Sequence, residues 1–140
     1  MTDKLIQHFS LHELTKTSTS YDNTPSNEQV ENLYRLALKL EEIRSCLGGL
    51  PITITSAFRS KDVNTSVNGS DTSDHCNGLA ADIKVGALQP KEVARLIKKS
   101  GIKYDQLILE PTWVHIGIGA RMRQQSLQSS DRKTYHEFTG

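Results

Sequence analysis

Apolar residues recur along this chain in two periods, and the switch between them marks its elements. Val30, Leu33, Ala37, Leu40 and Leu47 follow a helical spacing behind Ser26 and Gln29, which form a capping box. Gly48-Gly49 stops the run, so the longest helix lies here and lays one apolar stripe on a sheet. A shorter helix is predicted over residues 9–14, capped by Ser10 with Glu13 at the third position, and another over 61–67. Residues 89–100 form a second long helix, opened by Pro90 and closed by Gly101. Between the helices the period falls to two. Ile52 and Ile54 alternate with Thr53 and Thr55 in a strand ending near Arg59, and residues 80–85 read as another strand. Residues 104–110 and 113–118 are two more strands, joined across Pro111-Thr112 as a hairpin. Residues 15–24 and 68–77 are polar connectors, and a loop is where a scaffold presents chemistry. Residues 119–140 are rich in Gln, Ser and Arg, and are expected to be part helix with a loose tail over 126–140. The pattern predicts an α+β fold, a small antiparallel sheet with helices packed on one face. It forms a single domain over residues 1–140 with its core roughly at 9–125.

Strand alternation also sorts the polar residues by face. Val114, Ile116 and Ile118 share the core face of the last strand, so Trp113, His115 and Gly117 share the other. Ala81, Ile83 and Val85 face the core, which turns Asp82 outward. Placed in one sheet, Asp82 and His115 emerge together, and a tight turn at Gly78 brings His75 back above Asp82. Two imidazoles and one carboxylate, with a fourth position left for water, are the donors a catalytic zinc needs. Taken singly, each residue also reads as a structural histidine or a turn-capping aspartate. On pattern alone the metal site and these plainer readings stand level.

Composition narrows the class. With 36% hydrophobic and 24% charged residues the chain is globular, and a net charge of +1 gives no field for nucleic acid. No apolar run suits stable membrane insertion, and the first residues lack a signal-peptide pattern, so synthesis in the cytoplasm is expected. Cys46 and Cys76 are too few for a disulfide framework and read as free thiols. Cys76, the neighbour of His75, points away from it on an extended segment and ranks low as a ligand. Arg121, Arg123, Arg132 and Lys133 read as a solvated basic stretch, with contact to an anionic polymer as the alternative.

The motif Ser73-x-His75-x-x-Gly78-x-Ala80-x-Asp82, followed by Trp113-Val114-His115, resembles the zinc D-Ala-D-Ala carboxypeptidase family. That family includes the vancomycin-resistance dipeptidases and phage cell-wall endopeptidases, and shares its fold with the Hedgehog signalling domain. Residues 54–60 resemble its Ser-Gly-Tyr-Arg motif with Ala57 and Phe58 replacing Gly and Tyr, and residues 104–110 resemble the strand before the last ligand. The resemblance implies one zinc ion held by His75, Asp82 and His115. It implies Arg59 as the arginine that steadies substrate or the developing oxyanion. The general base is expected at Glu110, where Hedgehog-like members carry a Glu. Here the chain departs from the dipeptidases, which place a Glu where it has Thr112, and from members with a His at the Trp113 position. Ser73 is expected to shape the loop or to bond substrate, and Trp113 to wall the cleft or simply to pack.

The resemblance thus implies a metallopeptidase, expected to be monomeric, acting on peptidoglycan stem peptides or cross-links that involve D-amino acids. A phage or prophage lysis protein working at the cell wall is the expected setting. Endopeptidase and carboxypeptidase action both stay open. The rival is a non-catalytic, zinc-containing wall-binding or virion module.

Overall fold

The computed structural model describes residues 4–140. Strands β1 (Lys4–Ile6) and β2 (Phe9–Ser10) pair as a small separate ribbon that the sequence did not announce. Helix α1 (Leu11–Thr15) follows, then α2 (Asn27–Cys46), β3 (Thr53–Ser56), α3 (Lys61–Ser66), a 3-10 turn (Asp74–Asn77) and β4 (Ala80–Lys84). Helix α4 (Pro90–Ser100), β5 (Gln106–Leu109), β6 (Val114–Gly117), β7 (Gln125–Gln128) and β8 (His136–Glu137) complete the chain. The helix starts agree with their capping signals. Ser10 with Glu13, and Ser26 with Gln29, each form reciprocal capping boxes, and Gly48 and Gly49 take positive φ after α2.

Six strands form one sheet in the order β3-β4-β6-β5-β7-β8. The apolar stripe of α2 (Leu33, Leu36, Ala37, Leu40, Ile43) and that of α4 (Val93, Ala94, Ile97) join Ile54, Ala81, Ile83, Leu107, Val114 and Ile116 in one buried cluster. Each leucine, isoleucine and valine of this set contributes roughly 1.5–3 kcal/mol when fully removed from water, so this face fixes the register of the strands. The opposite face is left for polar groups.

The expected α+β fold with an antiparallel sheet is found, with one pair of the six-stranded sheet departing from it: β5 and β7 run parallel, Gln106 to Leu109 pairing in step with Gln125 to Gln128. The expected helix within 119–140 and loose tail over 126–140 are also corrected. Residues 125–128 and 136–137 are strands, and Phe138 is buried in the core cluster. Two contacts tie this segment down. Arg123 forks onto the fully buried Asp105 at 2.8 and 3.0 Å, and Lys98 Nζ donates to the Phe138 carbonyl at 2.6 Å. A polar strand held by its backbone and by one ion pair to a buried carboxylate leaves little apolar periodicity to read.

The 3-10 turn that carries His75 is packed against α2. Gln29 Nε2 donates to the Cys76 carbonyl at 3.2 Å and Asn32 Nδ2 to the Asn77 carbonyl at 2.9 Å. Gly78 closes the turn at φ +75°, and a Cβ there would lie 2.9 Å from the Gln29 carbonyl oxygen. Only glycine meets both demands, so the turn sits on the helix where a side chain would hold it off.

Candidate metal centre

Register places two of the three predicted ligands side by side. Asp82 of β4 pairs directly with His115 of β6, and both point to the face away from the helices. His115 Nδ1 lies 3.0 Å from Asp82 Oδ1. His75 arrives from the 3-10 turn, whose first N–H groups are ordered by the Ser73 hydroxyl accepting from the His75 N–H at 3.2 Å. Its ring is aimed by the backbone of residues 57–59. The Arg59 N–H donates to the His75 carbonyl at 3.0 Å, and His75 Nδ1 donates to the Ala57 carbonyl at 2.6 Å. A carbonyl only accepts, so Nδ1 carries the proton and Nε2 is left bare, 3.4 Å from Asp82 Oδ1. One ligand atom from each of His75, Asp82 and His115 lies within 4.8 Å of the others, and the two imidazole rings meet edge to face at 5.1 Å.

The electrostatics suit a cation. Burial pushes the His75 pKa down and keeps the ring neutral, the form that ligates metal. Burial by itself would raise Asp82, but the hydrogen bond from His115 outweighs it and holds the carboxyl well below the usual range. Asp82 is thus an anion with its charge already facing two imidazoles.

Arg59 stands beside this group, its Nη2 3.5 Å from Asp82 Oδ2. Nε donates to the Ser56 hydroxyl at 3.2 Å and Nη1 to Asn64 Oδ1 at 3.1 Å, so the guanidinium is clamped in one orientation. Asn64, buried on α3, also binds the Ser70 carbonyl at 2.9 Å, and no sequence signal singles it out. Glu110 follows β5 and lines the same cleft as the three ligands. It is 9% exposed, and its Oε1 is buried with no hydrogen-bond partner among the described residues. Burial pushes its pKa up. A buried carboxyl oxygen left unbonded costs stability, and such groups gather where chemistry is done. Trp113 walls the cleft, and its buried Nε1 is likewise unpartnered among the described residues.

The cleft holds about 550 Å³ and is lined by the 68–74 loop and by Arg121, Arg123, Arg132 and Tyr135 of the C-terminal segment. Arg121, Arg123 and Arg132 are exposed, as a solvated stretch expects, and they also line the cleft, while Lys133 is not part of the lining. The segment carries no apolar strand or helix period, so its role in the cleft is invisible in the sequence. Cys46 and Cys76 are free thiols, and Cys76 is not among the clustered ligands. No helix among the described residues is long and apolar enough to cross a membrane.

Two comparisons bear on this geometry. A stretch of 49 residues is 41% identical to the zinc D-Ala-D-Ala carboxypeptidase of Streptomyces albus G, covering 35% of this chain. The chain spans only 19% of the length of that curated relative. The family model for peptidase M15 matches residues 7–117, which takes in His75, Asp82, His115, Arg59 and Glu110 and stops before β7. Extending across most of the chain and over every residue that converges on the candidate centre, this match places the chain in the peptidase M15 family.

Proposed function

We propose that this chain is a zinc-dependent metallopeptidase that cuts peptide bonds involving D-amino acids in bacterial peptidoglycan stem peptides or cross-links. One observation carries the reading. Two imidazoles and a carboxylate converge within 4.8 Å in a cleft where Glu110 Oε1 stands buried and unbonded. Family membership supports peptidase chemistry, and the name of the Streptomyces relative supports the metal and the substrate class.

The donor set fits the ion. Two neutral nitrogens and one carboxylate oxygen are a usual catalytic zinc set, and the His75 Nδ1 bond to the Ala57 carbonyl is the outer contact that fixes a ligating tautomer. His75, Asp82 and His115 would hold one zinc. Bound there, zinc supplies an acidified water and a polarised carbonyl. Everything else falls to the protein. Glu110 takes a proton on its carboxylate from the attacking water and returns it to the leaving nitrogen. Arg59, held by Ser56 and Asn64, presents a fixed positive charge to the oxyanion as it develops. Ser73 uses its hydroxyl on the turn that delivers His75, which favours the loop role over substrate contact. Trp113 closes one side of the cleft against water.

The rival reading is a wall-binding module that keeps zinc without cutting. The unbonded Glu110 oxygen favours the enzyme, because a binding module has no use for that cost. Digestion of purified peptidoglycan, followed by mass spectrometry of the muropeptides, tests the proposal. New termini at a D-amino acid that vanish with chelator and return with zinc are expected. Zinc retained with no bond cut ends the enzyme reading. Work in a phage or prophage lysis system belongs to the same proposal, and clearing of permeabilised bacterial cells by the purified protein is its readout.

A further inference from the structure

The cleft is unusual in its cations. Four of the seven arginines in the chain line it and no lysine among the described residues does, although the net charge is only +1. Guanidinium differs from ammonium in offering a planar fork of donors that matches a carboxylate. Two of the four arginines are already engaged. Arg59 is clamped by Ser56, Asn64 and Asp82, and Arg123 is forked onto Asp105. Arg121 and Arg132 have no carboxylate partner among the described residues.

Arg132 is the one of these two that is held in place. Its backbone takes φ +62°, a left-handed conformation that a non-glycine residue keeps only where its surroundings impose it. The surroundings are the turn between β7 and β8. Asp131 Oδ1 accepts from the N–H groups of Lys133 and Thr134, both at 2.8 Å, and the Arg132 N–H donates to the Ser129 hydroxyl at 2.9 Å. From that turn the guanidinium carbon lies 5.4 Å from the centre of the Trp113 ring. Stacking on an indole steadies a guanidinium through its face and leaves the N–H groups at its edge free to donate. Trp113 immediately precedes β6, two residues before His115, and both line the cleft, so the stacked cation sits on the side of the cleft next to a candidate zinc ligand. All of this turn lies beyond residue 117, where the family match ends.

We propose that Arg132, laid over Trp113, is a specificity-determining residue that binds a carboxylate of the peptide substrate. The inference rests on the peptidase reading and deepens it by naming what the substrate must carry. A stem peptide offers this chemistry from two sources, its C-terminal carboxylate and an acidic side chain. Capture of the terminal carboxylate makes the protein a carboxypeptidase. Capture of a side chain leaves room for an endopeptidase.

The test compares three peptides: Ala-D-Glu-Lys-D-Ala-D-Ala as the free acid, its C-terminal amide, and the analogue with D-Gln in place of D-Glu. Affinities are measured by calorimetry on the full chain in chelator, and cleavage is measured on the zinc-loaded chain. Amidation of the carboxylate that Arg132 binds is expected to weaken wild-type binding by about tenfold, the scale of one charged hydrogen-bonded pair. Arg132→Gln should bring that ratio close to one, and Arg132→Lys, which keeps the charge without the fork, should fall between. Each ratio is taken within one protein, so a general loss of stability cancels. An amidation ratio in Arg132→Gln or Arg132→Lys equal to that of wild type, or a wild type indifferent to both amidations, overturns the proposal. Discrimination without cleavage ends the enzyme reading and leaves this inference standing. Cleavage without discrimination does the reverse.

Discussion

His75 Nδ1 lies 2.6 Å from the carbonyl oxygen of Ala57, and this single contact decides which nitrogen of the ring faces Asp82 and His115. Ala57 follows β3, so the ligand from the loop is aimed by the strand at the far edge of the sheet from β8. The centre is a meeting of three segments, each held by backbone.

Removing His115 should remove the metal. His115→Ala is expected to lose zinc on dialysis, whereas the wild type retains it, read by elemental analysis. Zinc that binds only the folded chain also stabilises it, by roughly 4 kcal/mol when free zinc is a thousand times its dissociation constant. Chelation should therefore lower the Tm of the wild type and leave that of His115→Ala unchanged. A wild type whose Tm ignores chelator counts against the site.

Glu110→Gln should keep zinc and lose turnover by about 10²–10⁴-fold, the range for losing a general base. The same change should stabilise the chelated protein at neutral pH. Burial raises the folded pKa of Glu110. The unfolded chain thus ionises first as pH rises, and stability falls between the ordinary and the raised value. Glu110→Gln has no such loss. Its Tm advantage should appear at neutral pH and shrink below the ordinary glutamate range, near pH ~4. An equal advantage at both pH values would contradict the burial argument.

Asp105 and Arg123 anchor the C-terminal segment. Hydrogen bonds from Arg123 hold the Asp105 pKa below its ordinary value. Their stabilisation is complete above that ordinary value and is lost as acid brings the pH down through the folded one. Asp105→Asn should cost about 2 kcal/mol at neutral pH, since a charged hydrogen-bonded pair is broken on a fully buried group. Denaturant melts should show the deficit narrowing in acid.

Gly78→Ala should be among the most damaging small changes. The φ of +75° already disfavours any side chain, by roughly 1–2 kcal/mol, and the new methyl group meets the Gln29 carbonyl at 2.9 Å. The turn must lift from α2 and carry His75 with it. Weaker zinc binding alongside a lower Tm is the expected pair of readings, and a lower Tm with unchanged zinc affinity would uncouple the two.

Much of this is legible in the sequence because burial writes it there. Leu33, Ala37 and Leu40 announce α2, and the alternation through Ala81, Asp82 and Ile83 puts Asp82 on the open face by its period alone. The Ser26 and Gln29 box marks the start of α2 to the residue. The convergence of His75 is legible only through Gly78 and motif resemblance, since a loop carries no period. The C-terminal strands escape for the opposite reason. Gln125, Ser126 and Gln128 show no apolar alternation, and β7 is fixed by backbone pairing to β5 and by Asp105, a buried carboxylate whose pairing with Arg123 no pattern flags. Asn64 escapes because its work, orienting Arg59, depends on a contact between α3 and the end of β3.

The parallel pairing of β7 with β5 has one more effect, on self-association. Without residues 125–128, the backbone of Gln106–Leu109 would lie open along one side, carrying the buried Leu107 and Ile108. An uncovered strand of that kind is a template for a second molecule. With β7 in place the outermost strand on that side of the sheet is β8, two exposed residues long, and a border that short offers a neighbouring chain almost nothing to zip onto.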